Sequence, residues 1–267
     1  MATIGAIHYN WPGDLEDFVR RASEIGYETC EIRAGDIWSD PVDGGQARAA
    51  EIGELLARHG MRASAVEIGN DFLQADPADL NAEIERYRRR CEVIPLLGTD
   101  IVRSDGGWNR NDQVPEDQWD GMMLEAFKRC ADFLEACQVR VALDNHGTTT
   151  NDGDWQLSLI ERVGSERLGV NLDTMNYRWF GHDLDRIDHF YEILAPHVFH
   201  THMKDGTGSR QNYRGAALGE GEIHLDKAVK CLQDAGYDGA WTAEYEGPET
   251  EGGVGYEKCY QWLVKNV

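Results

Sequence analysis

Short β-rich runs alternate with longer segments of helical period from one end of the chain to the other, and no linker interrupts the alternation. The first unit is Thr3 to His8, then Asp14 to Ile25 with Leu15, Phe18, Val19, Ala22 and Ile25 at helical spacing, then Gly26 as a stop. The pattern recurs as Thr29 to Arg33 with Gln46 to His59, as Met61 to Ile68 with Ala78 to Leu97, and as Asp100 to Arg103 with Glu116 to Cys137. The second half continues with Val139 to Leu143 and Trp155 to Val163, then Leu168 to Leu172 and Leu184 to Leu194. Two further units, Val198 to His202 with Leu225 to Ala235 and Ala240 to Ala243 with Tyr256 to Val264, bring the count to eight strands and eight helices. Near-continuous apolar strands separated by helices require a parallel sheet covered by its crossovers. Eight units predict a single-domain (β/α)8 TIM barrel over residues 1–267 rather than an open doubly wound sheet, and the first loop lacks the Gly-x-Gly-x-x-Gly turn of a dinucleotide site. The length agrees, since such barrels fill about 200–250 residues as one domain.

Composition narrows the partners. Lys+Arg 26 against Asp+Glu 48 leave a net charge of −22, which repels phosphate, so no nucleic acid and no anionic membrane surface is expected as partner. No apolar run approaches the roughly 20 residues that cross a bilayer, and Met1 to Trp11 lacks a basic segment followed by an apolar one; a cytoplasmic protein is expected. The six cysteines have no Cys-x-x-Cys spacing and are expected to be reduced thiols.

In a barrel of this kind the active site is built at the C-terminal ends of the strands. Strand 5 ends Leu143-Asp144-Asn145-His146, strand 6 ends Asn171-Leu172-Asp173-Thr174, strand 7 ends His200-Thr201-His202-Met203-Lys204-Asp205, and strand 8 ends Ala243-Glu244-Tyr245-Glu246. Asp144, Asp173, His202 and Glu244 therefore fall around one side of the mouth, and three carboxylates with one imidazole suit one divalent ion, Mn²⁺ first, with Mg²⁺, Co²⁺ or Zn²⁺ compatible. Each acid taken singly has a second reading as a helix N-cap. The set favours the metal, because Asp173 and Glu244 come directly off apolar strands where an unpaired carboxylate is costly.

These strand ends, together with Gly219-Glu220-Gly221-Glu222, resemble the sugar phosphate isomerase/epimerase group of the xylose isomerase-like TIM barrel superfamily, over essentially the whole chain. The resemblance implies a metal held by Asp144, Asp173, His202 and Glu244, a small-molecule carbohydrate substrate, and a homodimer or homotetramer, although no segment marks an interface. Asp144 stands where relatives commonly carry Glu. The reaction implied is isomerisation or epimerisation of a sugar or keto-sugar through a metal-stabilised enediolate, with Asp144 and Glu244 also moving protons and with His146 and Lys204 as further catalytic candidates. Relatives that epimerise free ketoses at C3 have histidine and arginine where this chain has Asn176 and Gly208, which leaves the substrate open.

An inosose-type dehydratase using the same metal is the alternative, and a non-catalytic sugar-binding barrel is a third reading. The superfamily's three-zinc DNA-repair endonuclease needs histidines that this chain lacks. Arg33, Glu67 and Arg103 at strand ends, Asn176, Glu246, and Arg214 in the 205–222 loop are expected to contact substrate. Trp11, Trp38, Trp108 and Trp179 follow strands and are candidates to stack on a sugar ring, with Trp108 foremost. No glycine nest accompanies Arg214, so a phosphorylated substrate is not expected.

Overall fold

The computed structural model describes residues 2–38, 44–109 and 112–267. Its elements run β1 (Thr3–Ile7), α1 (Leu15–Ile25), β2 (Thr29–Ile32), α2 (Ala34–Ile37), α3 (Gln46–Arg58), β3 (Arg62–Glu67), α4 (Pro77–Cys91), β4 (Ile101–Ser104), α5 (Glu116–Cys137) and β5 (Arg140–Asp144). They continue with α6 (Gly153–Val163), β6 (Leu168–Asp173), α7 (Asn176–Phe180), α8 (Leu184–Leu194), β7 (Val198–Met203), β8 (Asp205–Thr207), β9 (Arg214–Ala216), α9 (Leu225–Asp234), β10 (Ala240–Glu244) and α10 (Val254–Asn266). Eight strands close in the order β1-β10-β7-β6-β5-β4-β3-β2, every pairing parallel, and β8 and β9 form a separate antiparallel hairpin. The chain is a single-domain (β/α)8 barrel.

Local chemistry sets the helix starts. Asp14, Asp152 and Asp183 each accept the backbone N–H three residues on, and Asp76 accepts that of Ala78, satisfying donors that the first helical turn leaves open. Two one-turn helices, α2 and α7, and the β8–β9 hairpin add to the sequence pattern, and the predicted helix over 78–97 divides into α4 and a 3₁₀ turn at Ile94–Leu97 that carries Pro95.

The main apolar core lies between barrel and helices, with Phe18, Phe127, Phe190, Tyr177 and Tyr191 fully buried there. Inside the barrel the packing differs. A small separate cluster of Ala65, Ile101 and Ala142 packs with Phe199. Toward the strands' C-terminal ends the interior turns polar, with Glu31, Arg103, Asp144, Asn171, Asp173, His200, His202 and Glu244 all buried. Among the described residues no helix is long and apolar enough to cross a membrane.

Candidate active site

Register brings the site together. Asp173 pairs with His202 across β6 and β7, and Thr242, two residues before Glu244, pairs with His202 across β7 and β10. Since alternate residues share a face, Asp173, His202 and Glu244 converge inside the mouth. Their ligand atoms lie within 4.8 Å of one another. His202 Nδ1 is 2.8 Å from Glu244 Oε2 and 3.9 Å from Asp173 Oδ2, yet Nδ1 and Oδ2 are buried without a hydrogen bond.

Asp173 reconciles the two readings of a strand-end acid. Its Oδ1 accepts the N–H groups of Met175 and Asn176 at 2.8 and 2.7 Å and so caps α7, while Oδ2 faces the trio. Burial pushes the Asp173 pKa up to about 7; the Glu244 and Asp144 carboxylates add to the rise and Lys204 opposes it. Burial also works against charge on His202, but the Glu31 and Glu244 carboxylates outweigh it and hold the imidazole well above its ordinary pKa. Without a cation, protons take up charge that the cluster has in excess. Orphaned atoms on Asp173 and His202 beside the ionised Glu244 are a donor set that fits a divalent ion.

Lys204 closes one side. Its ammonium is 3.0 Å from Glu244 Oε1, 3.0 Å from Glu246 Oε1 and 3.7 Å from Asp173 Oδ2, and it donates to Asn176 Oδ1 at 3.2 Å. Burial opposes its charge, and the Glu244, Asp173 and Glu246 carboxylates more than compensate, holding its pKa well above the ordinary value.

The other side is organised by Arg103. Its guanidinium donates to Glu31 Oε1 at 2.7 Å, Asp105 Oδ1 at 2.9 Å and Asp144 Oδ2 at 3.0 Å. Asp144 Oδ1 accepts from Asn171 Nδ2 at 2.6 Å, and Oδ2 lies 3.3 Å from His146 Nδ1. Although Asp105, Asp144 and His146 could by spacing form a second metal group, the Arg103 guanidinium already pairs with both acids. His146 projects toward the rim against Trp108, ring centroids 4.7 Å apart. Burial lowers its pKa, but the Asp144 and Asp105 carboxylates prevail and raise it.

Above both sides opens a cavity of about 200 Å³ lined by Tyr9, Trp108, His146, Asn176, Trp179, Lys204 and Glu246. Polar groups at the C-terminal ends of barrel strands, under an aromatic rim, are the layout of a small-molecule site.

The family model described as xylose isomerase-like TIM barrel matches residues 19–265. The chain belongs to the xylose isomerase-like TIM barrel family. Among solved structures, this xylose isomerase-like barrel superimposes on an IolI protein with a bound zinc atom at a TM-score of 0.81, with 17% identity over 99% of this chain and 98% of that one. A D-psicose 3-epimerase from Clostridium cellulolyticum H10, solved with D-tagatose, gives 0.79 at 16% identity, covering 98% of this chain and 97% of that one. An L-ribulose 3-epimerase gives 0.79 at 18% identity, covering 100% and 94%. At these identities the likeness is one of fold. An uncharacterized protein of Methanocaldococcus jannaschii is 20% identical over 184 residues, 65% of this chain, and the match spans 61% of that relative's length.

Within the xylose isomerase-like barrel, the residues singled out from sequence separate into groups. His146, Lys204, Asn176, Glu246 and Trp108 line the cavity; Asp173, His202 and Glu244 form the buried trio beneath it; Arg103 and Asp144 stand beside the trio. Arg33 packs over the Tyr9 ring, 5.4 Å from its centroid, with its backbone N–H on Asp36. Glu67 accepts the Ala34 N–H at 2.8 Å. Arg214 is exposed on β9 and makes no ion pair among the described residues. Of the other tryptophans, Trp179 lines the cavity, whereas Trp11 packs on Phe18 and Tyr256 and Trp38 lies under the Arg90 guanidinium. Sequence reading overlooks Glu31, Asp105 and Asn171. Glu31 had a signal, a carboxylate inside an apolar strand, where burial without a partner is prohibitive.

Proposed function

We propose that the protein is a divalent-metal-dependent isomerase or epimerase of a small, unphosphorylated sugar or keto-sugar. The observation that carries this reading is a cavity lined by His146 and Lys204, of which Lys204 also touches Asp173 and Glu244 of the buried Asp173–His202–Glu244 trio. The solved sugar epimerases of the same fold support it.

Asp173, His202 and Glu244 would hold the ion, Mn²⁺ first for a site of two carboxylates and one imidazole, with Mg²⁺, Co²⁺ or Zn²⁺ as compatible alternatives. When bound, such an ion supplies Lewis-acid polarisation of a carbonyl and of its neighbouring hydroxyl. Asp144, whose oxygens are taken up by Arg103, Asn171 and His146, serves to orient His146. His146 then moves the proton at the carbon beside the carbonyl or at the adjoining oxygen. Lys204, held by Glu244, Glu246 and Asn176, lines the cavity as a buried cation whose field favours negative charge growing on a substrate oxygen. Tyr9, Trp108 and Trp179 bind the apolar face of the ring. Among the described residues lining the cavity, Lys204 and His146 already face carboxylates, which favours a substrate without phosphate.

Metal analysis of the purified protein beside His202→Ala and Glu244→Ala tests the site; variants that keep a full equivalent of metal refute it. Incubation with ketoses and keto-polyols in D₂O tests the reaction. Deuterium in the recovered sugar without loss of water supports the isomerase, water loss moves the assignment to a dehydratase, and saturable binding with neither outcome leaves a sugar-binding barrel.

A further inference from the structure

We infer that Glu31 is a positioning residue that sets the tautomer of His202 and so makes Nδ1 available as a ligand atom; the inference rests on the metal reading above. Glu31 lies on β2 and His202 on β7, strands separated by β1 and β10 in the barrel order. Their contact therefore crosses the barrel interior. His202 Nε2 and Glu31 Oε2 are 2.5 Å apart, and the Glu31 side chain has no exposed surface.

The chemistry follows from what each partner can do. A carboxylate only accepts, and Glu31 has the Arg103 guanidinium at one oxygen and His202 Nε2 at the other. The proton of a neutral His202 is thus kept on Nε2, and the Nδ1 lone pair faces Asp173 Oδ2 and Glu244 Oε2. Nδ1 lies 2.8 Å from Glu244 Oε2 and 3.9 Å from Asp173 Oδ2, so a cation drawn to those two carboxylates meets Nδ1 and not Nε2. Arg103 fixes the other end of the carboxylate by donating to Glu31 Oε1 at 2.7 Å, so the Glu31 carboxylate cannot turn away. The same guanidinium donates to Asp144 at the end of β5, so Arg103 bonds both to the partner of His202 and to the carboxylate beside His146. A histidine ligand whose second nitrogen donates to a carboxylate is oriented and made more basic, and removal of such a partner commonly weakens metal binding 10–100-fold.

Glu31→Gln is the sharp perturbation, because Arg103 dictates how the amide must lie. Its oxygen has to face the guanidinium, which leaves the NH₂ toward His202 Nε2. An NH₂ there requires Nε2 to accept, moves the proton to Nδ1 and blocks the ligand atom. Affinity for Zn²⁺ and for Mn²⁺ alone, measured by chelator competition, should fall about 10–100-fold in Glu31→Gln. Unfolding in chelator reports whether the variant is folded. If it is not, Glu31→Asp retains the charge for Arg103 but withdraws the acceptor from His202, and should lose affinity by several-fold. A proton–nitrogen correlation spectrum of the Zn²⁺-loaded wild type gives a readout that needs no variant: the His202 Nε2–H should appear as a strongly deshielded, slowly exchanging signal. A folded Glu31→Gln that binds Zn²⁺ within twofold of wild type overturns the inference, as does a loaded wild type coordinated through Nε2. A wild type that takes up no stoichiometric metal overturns the metal reading itself, and the inference with it.

Discussion

Asp173→Asn isolates the charge that the buried site carries in excess. The substitution is isosteric, and its amide oxygen can still accept the N–H groups of Met175 and Asn176, so the cap of α7 survives. What disappears is a carboxyl whose pKa is 3.8 in the unfolded chain and about 7 in the folded one, and which is fully buried. Because the folded pKa is raised, the native state binds the proton more tightly. The associated stability is complete below about pH 4 and is lost as pH climbs through about 7. The difference between 3.8 and about 7, at roughly 1.4 kcal/mol per unit, amounts to ~4 kcal/mol. Asparagine cannot ionise and escapes this loss. In chelator, urea unfolding from about pH 4 to about pH 8 should therefore show the variant gaining on wild type across the window, by as much as ~4 kcal/mol at its upper end. Mn²⁺ should offset that advantage, since wild type gains about 2.7 kcal/mol at a hundredfold excess over its dissociation constant and about 4.1 at a thousandfold, while the variant gains little. A stability gap that does not change with pH, or a variant weaker than wild type at about pH 8 in chelator, refutes the assignment of excess negative charge to this trio.

Three further substitutions probe other parts of the structure. Asp144→Asn should leave Zn²⁺ or Mn²⁺ uptake within a few-fold of wild type while depressing turnover at least tenfold, because Asp144 orients His146; loss of the metal would instead make Asp144 a ligand. Asp205→Ala removes the acceptor of the Gly206, Gly219, Gly221 and Ile223 N–H groups, and limited proteolysis should show new, rapid cleavage between residues 206 and 222. Gly169→Ala would place a Cβ 2.5 Å from the His197 carbonyl oxygen, between β6 and β7, and should cost ~1–3 kcal/mol in urea unfolding; a change inside ~0.5 kcal/mol contradicts the packing described.

The barrel is legible in the amino-acid sequence because its information is periodic. Each apolar strand followed by an amphipathic helix can bury itself in only one way, and eight repetitions leave little choice of topology. Elements that lack a period are not legible. The one-turn helices α2 and α7 and the three-residue strands β8 and β9 are set by tertiary contacts. Asp205 gathers four backbone N–H groups and folds the 206–222 segment around them, with no local pattern to announce it.

The site shows a similar boundary between what position determines and what register determines. Reading the acids and imidazoles near the strand ends singles out Asp173, His202 and Glu244, since that end of the barrel carries the mouth. It passes over Glu31, which stands one residue short of the end of β2 as His202 does in β7, because Arg33 two residues on reads as the polar end of that strand. Strand-end position also does not reveal that Arg103, 41 residues before Asp144, and Asn171, 27 residues after it, bond to the Asp144 carboxylate. Those partners depend on how strands stagger around a closed barrel, a quantity set by every pairing at once. A buried carboxylate nevertheless implies a cation or several donors, wherever in the sequence they come from. Burial raises the pKa of Asp173, and the chain adds to that rise an excess of buried carboxylate charge at this mouth over what Arg103 and Lys204 can neutralise. A divalent ion between Asp173, His202 and Glu244 would remove it; protonation of Asp173 does so only at the lower end of the physiological range.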